Sequence, residues 1–195
     1  MKTIFPITTK FLQETFGEHF ESEMILDYLT ILRTMPFHKL PIITLYSDES
    51  CTGKTTTLQW LSMFIQNDFA VVDDFGNRYN SDWASKRLVS IEFDGKPRSR
   101  DVEQMKLLQT ADFVIFNEKN IQLFQIKCKL AFITTSQYEI EENRFLNIKM
   151  NPVKKPNPMM IEKLRKEVNA FRAFIDSRNL NHKAESRLYF NILKS

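Results

Sequence analysis

The sequence predicts an α/β fold in three layers, in which helices flank a central, mostly parallel sheet and both ends of the chain are helical. Short apolar runs typical of buried strands alternate with amphipathic runs typical of helices. One of only four glycines stands in the triplet Gly53-Lys54-Thr55, directly between a strand-like run and a helix-like run. Alternation of this kind indicates a parallel sheet with helical crossovers.

Length and composition predict one globular domain with small helical appendages. Of 195 residues, 43% are hydrophobic and 17 are Phe, which is enough for a sizeable core, while 26% are charged. The net charge of +3 permits binding to nucleic acid without requiring it. We divide the chain into a helical segment at 1–40, a core at 41–150 and a second helical segment at 151–195.

The cysteines and the N-terminal residues bear on the cellular compartment. Cys51 and Cys128 make no disulfide framework, which favours a reducing cytoplasm. The sequence contains no apolar run long enough to span a membrane, and Met1–Lys10 lacks the pattern of a signal peptide. We therefore expect a cytoplasmic location and no membrane partner.

The elements follow from the spacing of apolar residues. Between Thr9 and Arg33, helical spacing predicts two helices with a break near Gly17–Glu21. The predicted strands are Ile42–Tyr46, Phe69–Val72, Leu88–Ile91 and Leu130–Thr135, with a hairpin formed by Phe113–Phe116 and Gln122–Ile126. The later predicted helices are Thr55–Gln66, Val102–Leu108 and, after the Pro-rich connector Asn151–Pro158, a helix that continues to Ile175. Asn157 and Pro158 suit the N-cap and the first position of this last helix.

The stretch between the first strand and its helix predicts a phosphate-binding loop. Glycine lets the backbone approach a phosphate closely, the Lys54 ammonium reaches β- and γ-phosphates, and the Thr55 hydroxyl can bind Mg²⁺. Free N–H groups at the start of the helix favour the polyanion. Asp48 stands where the usual pattern has its first glycine, and the alternative is a surface turn with an exposed lysine. The residues predicted to bind the nucleotide are Ser50, Cys51, Thr52, Gly53, Lys54, Thr55 and Thr56.

Hydrolysis of a nucleotide also needs a carboxylate near Mg²⁺ and a group that orients the attacking water. The run Leu88–Ile91 is followed by two acids, Glu92 and Asp94, which point to the same face if the strand continues. We therefore predict that Glu92 binds the metal together with Thr55 and that Asp94 acts on the water. The alternative is a strand that ends in solvated acids.

Polar residues at the end of the next predicted strand are candidates for contact with the γ-phosphate. Thr135, Ser136 and Gln137 occupy this place. Sheets that hydrolyse nucleotides often end a central strand in such a polar group. The alternative for each residue is an ordinary polar end of a strand.

Basic residues outside the loop are candidates for further contacts. An arginine at the position of Arg144 can stabilise transition-state charge, in a neighbouring subunit if the protein forms a ring. The alternative for Arg144 is a surface ion pair. Lys119, at the tip of the predicted hairpin, suits a phosphate of nucleic acid, with help from Lys127 and Lys129. The alternative for these lysines is plain solvation.

Two further stretches carry a resemblance to a known family. Asp27-Tyr28-Leu29 is followed by Leu40-Pro41-Ile42, and Tyr79–Lys86 contains an Asn-x-x-Trp-Ala segment ahead of the acidic strand. With the loop, these features resemble the superfamily-3 helicase core of phage and mobile-element primase–helicase proteins. The resemblance runs from about Asp27 to Asn191. It implies a P-loop NTPase fold of the AAA+-like kind.

The resemblance implies roles for the nucleotide site. Lys54 and Thr55 match the nucleotide-binding pair, and Glu92 matches the first acid of the second motif. The family has a second carboxylate directly after the first, where this chain has Phe93. Asp94 is therefore one position late for a catalytic base.

The resemblance also implies roles beyond the nucleotide. Lys119 falls where the family has a basic hairpin that tracks single-stranded DNA. Gln137 or Ser136 falls at the polar sensor, which is usually Asn, and Arg144 matches the arginine finger. The implied ligands are ATP and Mg²⁺, and the implied assembly is a hexameric ring with a possible primase partner.

We therefore expect an ATP-dependent DNA helicase module for phage or mobile-element replication, acting in the host cytoplasm. The alternative is a nucleotide-binding, DNA-binding assembly protein whose ATP hydrolysis is weakened or lost, and Phe93 favours it. A third class, a P-loop kinase or a GTPase-like switch, is less favoured because no base-specificity motif or substrate lid is recognisable.

Overall fold

The computed structural model describes residues 4–21, 23–72, 83, 85–111, 113–117, 121–125, 128–153, 156–180 and 189–190. Within them, the helices are α1 (Pro6–Phe16), α2 (Glu18–Glu21), α3 (Met24–Thr34), α4 (Lys54–Ile65), α5 (Ser99–Thr110) and α6 (Met160–Asp176). The strands are β1 (Ile42–Tyr46), β2 (Phe69–Val72), β3 (Leu88–Glu92), β4 (Phe113–Asn117), β5 (Ile121–Gln125), β6 (Ala131–Ser136) and β7 (Phe145–Lys149). No helix in the described ranges is long and apolar enough to cross a lipid bilayer.

The central sheet is parallel and has the strand order β2-β3-β6-β1-β7. This confirms the predicted α/β fold class. β4 and β5 form a separate antiparallel pair, in agreement with the predicted hairpin. The sequence-based prediction omits β7. Leu146 and Ile148 pack in one core cluster and Phe145 in a second cluster on the other face of the sheet. Because β7 has apolar side chains on both faces, its sequence lacks the clear alternation of apolar and polar residues that marks a half-buried strand.

The two faces of the sheet bury different clusters of side chains. One face, here called the α4 face, packs against α1, α3, α4 and α6. The other, here called the α5 face, packs against α5. In β3, Leu88 belongs to the α4 face, whereas Val89 and Ile91 belong to the α5 face, as alternation along a strand requires. The three layers are therefore helices, sheet and helix.

Aromatic and cationic side chains fix α4 against its neighbours. The rings of Trp60 and Phe64 stack at 5.2 Å, and the ring of Phe171 in α6 lies 5.8 Å from each of them. Arg33 and Arg172 donate hydrogen bonds to the carbonyl oxygen of Phe64 near the end of α4. Positive charge at the carboxyl end of a helix offsets its dipole. These contacts hold α4, and with it the first turn that follows the predicted phosphate loop.

Several helix boundaries differ from the sequence-based prediction: α1 begins at Pro6, α4 spans Lys54–Ile65, and α5 spans Ser99–Thr110. α6 begins at Met160, two residues after the predicted first position, although the Asn157 side-chain oxygen accepts the N–H of Met159 as an N-cap residue would. The break predicted near residues 17–21 contains the short helix α2. Gly17 ends α1 with a φ of +47°, a conformation that glycine adopts without steric cost.

A buried ionic cluster joins α3 to the chain beyond α6. The carboxylate of Asp27, which is 0% exposed, accepts hydrogen bonds from the guanidinium of Arg178 and, at 2.6 Å, from the hydroxyl of Tyr189. Arg178 also pairs with Glu23 at 2.7 Å. Burial and the bond to Asp27 raise the pKa of the Tyr189 hydroxyl, which therefore remains a donor at neutral pH. A buried charge needs such partners because its desolvation is otherwise uncompensated.

Removal of the Asp27 carboxylate is expected to destabilise the fold. Asp27→Ala takes the buried partner from Arg178 and should lower the free energy of unfolding by about 3–5 kcal/mol. Glu162→Ala removes an exposed ion pair with Arg165 and is the control, with an expected change below about 1 kcal/mol. Urea unfolding of both variants and wild type measures these values. Equal stability of the two variants would contradict the account.

Candidate functional site

The predicted functional residues of the loop, the acidic strand and the polar strand end gather at the carboxyl edge of the parallel sheet. The phosphate loop follows β1, the acids follow β3, and polar residues end β6. Because β6 lies between β1 and β3, its end stands between the loop and the acids. Ligands of open α/β sheets bind at this edge of the sheet.

The phosphate loop contains two residues in the left-handed conformation. Gly53 has a φ of +87° and directly precedes Lys54, the first residue of α4. Cys51 has a φ of +56°, which costs a residue with a Cβ about 1–2 kcal/mol. No side chain caps the start of α4, so the N–H groups of its first turn remain available to an anion. The loop residues differ in burial: exposed Ser50, Cys51 and Thr55, half-buried Gly53, Lys54 and Thr56, and buried Thr52.

The Lys54 ammonium lies at the junction of β1 and β6. Its Nζ atom donates hydrogen bonds to the carbonyl oxygens of Ser47, at 3.1 Å, and Ser136, at 3.3 Å. The Ser47 N–H also donates to the Ser136 carbonyl, at 3.2 Å, which continues the pairing of the two strands. The ammonium is therefore held between the loop and the end of β6. It has three donors in all, so it can meet a further acceptor without leaving both carbonyls.

Glu92 ends β3, and Asp94 lies two residues further along the chain. Glu92 pairs with Thr135 in the parallel register, and the Phe93 N–H extends this pairing by donating to the Thr135 carbonyl at 2.9 Å. The Phe93 ring packs against the cluster on the α5 face. Alternation along β3 directs Glu92 to the α4 face, whereas Asp94 lies beyond the end of the strand, in a bend before Gly95, so the predicted alternation does not extend to it; both acids are exposed. The Glu92 carboxylate thus lies on the face that α4 covers, and Asp94 lies in the loop that follows.

Of the three polar candidates at the end of β6, Thr135 has the geometry that suits a phosphate. It is 1% exposed, lies on the α4 face beside Glu92, and its hydroxyl has no hydrogen-bond partner among the described residues. The Ser136 hydroxyl donates to the Gly95 carbonyl, and Gln137 is exposed beyond the end of the strand. A buried hydroxyl without a partner costs about 1–3 kcal/mol. Its place beside the loop indicates that a ligand or water completes the site.

Thr55 and Glu92 supply oxygen ligands that fit Mg²⁺. Thr55 is exposed in the first turn of α4, and Glu92 is exposed at the end of β3 on the same side of the sheet. Mg²⁺ at phosphate sites is bound through one or two protein oxygens together with phosphate oxygens and waters. Thr52 in the loop and Thr135 carry buried hydroxyls without partners among the described residues, which is the state expected of a site that receives a polar ligand.

Arg144 lies where the parallel strands begin, at the end of the sheet opposite the carboxyl edge that carries the phosphate loop. It precedes β7, and its carbonyl accepts the N–H of Ile42 at the start of β1, at 2.8 Å. β1 has five residues, and a strand of that length spans about 16 Å. The guanidinium donates to the Lys106 carbonyl of α5 at 3.1 Å. Arg144 is therefore too distant to serve the phosphate loop of its own chain, and a finger role requires a neighbouring copy.

The lysines predicted to contact nucleic acid are described only in part. Lys119 and Lys127 lie outside the described residues. The Lys129 ammonium donates to the carbonyl oxygens of Thr110, at 3.2 Å, and Ala111, at 3.1 Å. A lysine at the carboxyl end of a helix stabilises the last carbonyls in this way. Lys129 thus stabilises the end of α5, and its contact with nucleic acid stays a prediction.

The stretch Tyr79–Lys86 is also described only in part. The side chain of Trp83 is buried and packs in the cluster on the α5 face. This contact anchors the start of β3 to the core. Residues 79–82 and 84 lie outside the described residues.

Sequence reasoning missed a contact between the loop and the chain after β7. The Met150 N–H donates to the Tyr46 carbonyl at 2.8 Å, and the Val153 N–H donates to the Cys51 carbonyl at 3.1 Å. The Val153 side chain lies beside Gly53, where an added Cβ would approach it to 3.8 Å. The sequence predicts this segment only as a connector. No residue type in it signals a backbone contact with a loop so distant in sequence.

Comparisons with known proteins support the fold assignment. No family model matches the sequence, and no curated protein sequence matches it. Among solved structures, one form of the C-terminal region of NrS-1 is similar with a TM-score of 0.71 and 16% identity over 95% of this chain and 48% of that one. A second structure of that region has a TM-score of 0.71 and 15% identity over 100% of this chain and 53% of that one.

The chain thus spans about half the length of the structures it matches. At these identities the likeness shows the fold, a P-loop NTPase-like helicase fold with a five-stranded parallel sheet. JCV helicase is a weaker match, with a TM-score of 0.45 and 12% identity over 98% of this chain and 55% of that one. That likeness is too distant to inform on this chain.

Proposed function

We propose that this chain is an ATP-dependent DNA helicase module of the superfamily-3 type that serves phage or mobile-element replication in the host cytoplasm. The observation that carries the proposal is the Lys54 ammonium, held between the ends of β1 and β6, one strand away from Glu92. A Gly-Lys-Thr loop beside an acid and a buried, unpartnered hydroxyl suits a nucleoside triphosphate better than a surface turn does. The fold shared with the NrS-1 region is compatible with this activity.

In this proposal the loop binds the triphosphate of ATP. The Lys54 ammonium donates to the β- and γ-phosphates, as do the free N–H groups in the first turn of α4. The Thr135 hydroxyl meets the γ-phosphate, which ends its lack of a partner. Thr55 and Glu92 would hold Mg²⁺, which would supply positive charge that offsets the negative charge of the phosphates.

Asp94 is the proposed acceptor of the proton from the attacking water. The water oxygen bonds to the γ-phosphorus while the bond to the β–γ bridging oxygen breaks, and that oxygen leaves with ADP. The water proton passes to the Asp94 carboxylate, and phosphate is the second product. Phe93 stands at the expected position but has no group that accepts a proton, and its ring packs against the core. Asp94 is the next carboxylate along the chain, and it is exposed in the loop after β3.

Assembly into a ring, hexameric by the family resemblance, would complete the site. Arg144 lies at the far edge of the sheet from its own loop, so it would stabilise transition-state charge on the ATP of an adjoining subunit. Lys119 at the turn between β4 and β5 would contact single-stranded DNA in the central channel. A separate primase is the proposed partner in replication.

A second function is a nucleotide-dependent, DNA-binding assembly protein that has lost hydrolysis. The observation that favours it is Phe93, which replaces a carboxylate and packs on the side of the sheet away from α4. In such a protein the loop still binds ATP, and Asp94 lacks the position needed to activate water. The two functions differ in turnover and not in binding.

Turnover of ATP is the measurement that separates them. Wild type is expected to release phosphate from ATP, and faster when single-stranded DNA is added. Lys54→Ala should lose ATP binding, and Asp94→Ala should lower kcat about 10²- to 10⁴-fold, the usual contribution of a general base. Lys10→Ala removes an exposed lysine of α1 and is the matched control, with wild-type turnover. Tight ATP binding without turnover in wild type would refute the helicase and support the assembly protein.

Mixed oligomers test the place of Arg144. Arg144→Ala and Lys54→Ala should each be inactive alone, because every interface lacks one of the two groups. In a 1:1 mixture, about a quarter of the interfaces join an intact Lys54 to an intact Arg144 and should turn over ATP, provided that contacts between copies are head-to-tail. Absence of any regained turnover, at a concentration where wild type is oligomeric, would show that Arg144 does not act across subunits.

A further inference from the structure

Ser136, the last residue of β6, contacts three segments at the carboxyl edge of the sheet. Its carbonyl accepts hydrogen bonds from the Lys54 ammonium and from the Ser47 N–H of the phosphate loop. Its hydroxyl donates to the Gly95 carbonyl, at 3.3 Å, and accepts the Tyr138 N–H, at 3.0 Å. The backbone carbonyl of Ser136 thus binds the phosphate loop, whereas its side chain binds the loop that follows β3.

The loop that follows β3 is the one that carries Asp94. The ladder between β3 and β6 reaches as far as the Phe93 N–H, which donates to the Thr135 carbonyl. Two residues later the chain turns at Gly95, whose φ of +92° is the left-handed conformation that glycine accepts without strain. The hydrogen bond from the Ser136 hydroxyl fixes the carbonyl of that turn. Asp94 lies between these two attachments.

We infer that Ser136 is a positioning residue, whose hydroxyl holds the Phe93–Gly95 loop so that Asp94 stays at a fixed place relative to Lys54. The inference rests on the proposed function, because Asp94 needs that place only if it acts on water near the phosphates. It differs from a contact of Ser136 with phosphate. Along β6, Ser136 alternates with Thr135 and is directed to the α5 face, away from α4.

The two attachments of Ser136 can be separated by substitution. Ser136→Ala removes the hydroxyl and leaves both carbonyl contacts, so the lysine and the phosphate loop keep their partner. Ser136→Thr keeps a hydroxyl at the same place. Loss of one hydrogen bond frees the turn at Gly95 without unfolding the sheet, because β6 keeps its pairing with β1 and β3.

Amide hydrogen exchange of the purified chain without nucleotide tests the attachment directly. In Ser136→Ala, the amide of Phe93, which donates to the Thr135 carbonyl at the start of this loop, is expected to exchange about tenfold faster or more than in wild type, since opening of the loop no longer breaks the bond to Gly95. Ser136→Thr should exchange as wild type does. Peptides that cover residues 137–140 report separately on the lost bond to the Tyr138 N–H. Unchanged exchange of the Phe93 amide in Ser136→Ala would overturn the inference.

ATP turnover tests the link to Asp94. Ser136→Ala should lower kcat about 10- to 100-fold with little change in KM, because displacement of a reacting group by about an ångström has this effect. In the Asp94→Ala background the same substitution should cost nothing further. Multiplied losses in the double variant would refute a role through Asp94. Wild type that binds ATP without turnover would refute the proposed function, while the exchange comparison would still decide whether Ser136 holds the loop.

Discussion

The contact of the Lys54 ammonium with the carbonyls of Ser47 and Ser136 is the constraint on which the site depends. It exists because β6 runs parallel to β1 and in a register that pairs Tyr46 with Ser136. A slip of one residue between these strands would turn every side chain of β6 to the opposite face. Thr135 would then leave the α4 face and lose its place beside Glu92. The register of β1 and β6 therefore determines both the contacts of the Lys54 ammonium and the position of Thr135.

The sheet divides its faces between packing and chemistry near its carboxyl edge. Phe93 packs against the core on the α5 face, while Glu92 beside it is directed to the α4 face. α4 itself is held by stacked aromatic rings and by arginines at its carboxyl end, which leaves its first turn uncapped beside the loop. Packing of α4 against its neighbouring helices thus stabilises the position of the phosphate loop, since exposed loops have few contacts of their own.

Sequence reasoning located what depends on local pattern. Strands β1 and β2 have the bounds that apolar spacing predicts, and the Gly53-Lys54-Thr55 triplet opens α4 between them. It failed where contacts are long-range. The choice among Thr135, Ser136 and Gln137 depends on which of them lies on the face of β6 that packs against α4. That depends on how the strands are ordered in the sheet, which one sequence does not reveal. The sequence predicts that Lys129 contacts nucleic acid, and it gives no sign that the Lys129 ammonium donates hydrogen bonds to the carbonyl oxygens at the end of α5. The hydrogen bond from the Val153 N–H to the Cys51 carbonyl joins residues far apart in the sequence, and no local pattern predicts it.

The most direct test of the nucleotide site is a crystal structure with Mg²⁺ and a non-hydrolysable analogue of ATP. The account predicts a triphosphate along the first turn of α4, with the Lys54 ammonium in hydrogen-bond distance of the β- and γ-phosphates and the Thr135 hydroxyl at the γ-phosphate. Glu92 and Thr55 should lie next to the metal. An analogue that binds elsewhere, or a Lys54 that keeps both carbonyl contacts and meets no phosphate in the occupied site, would contradict it.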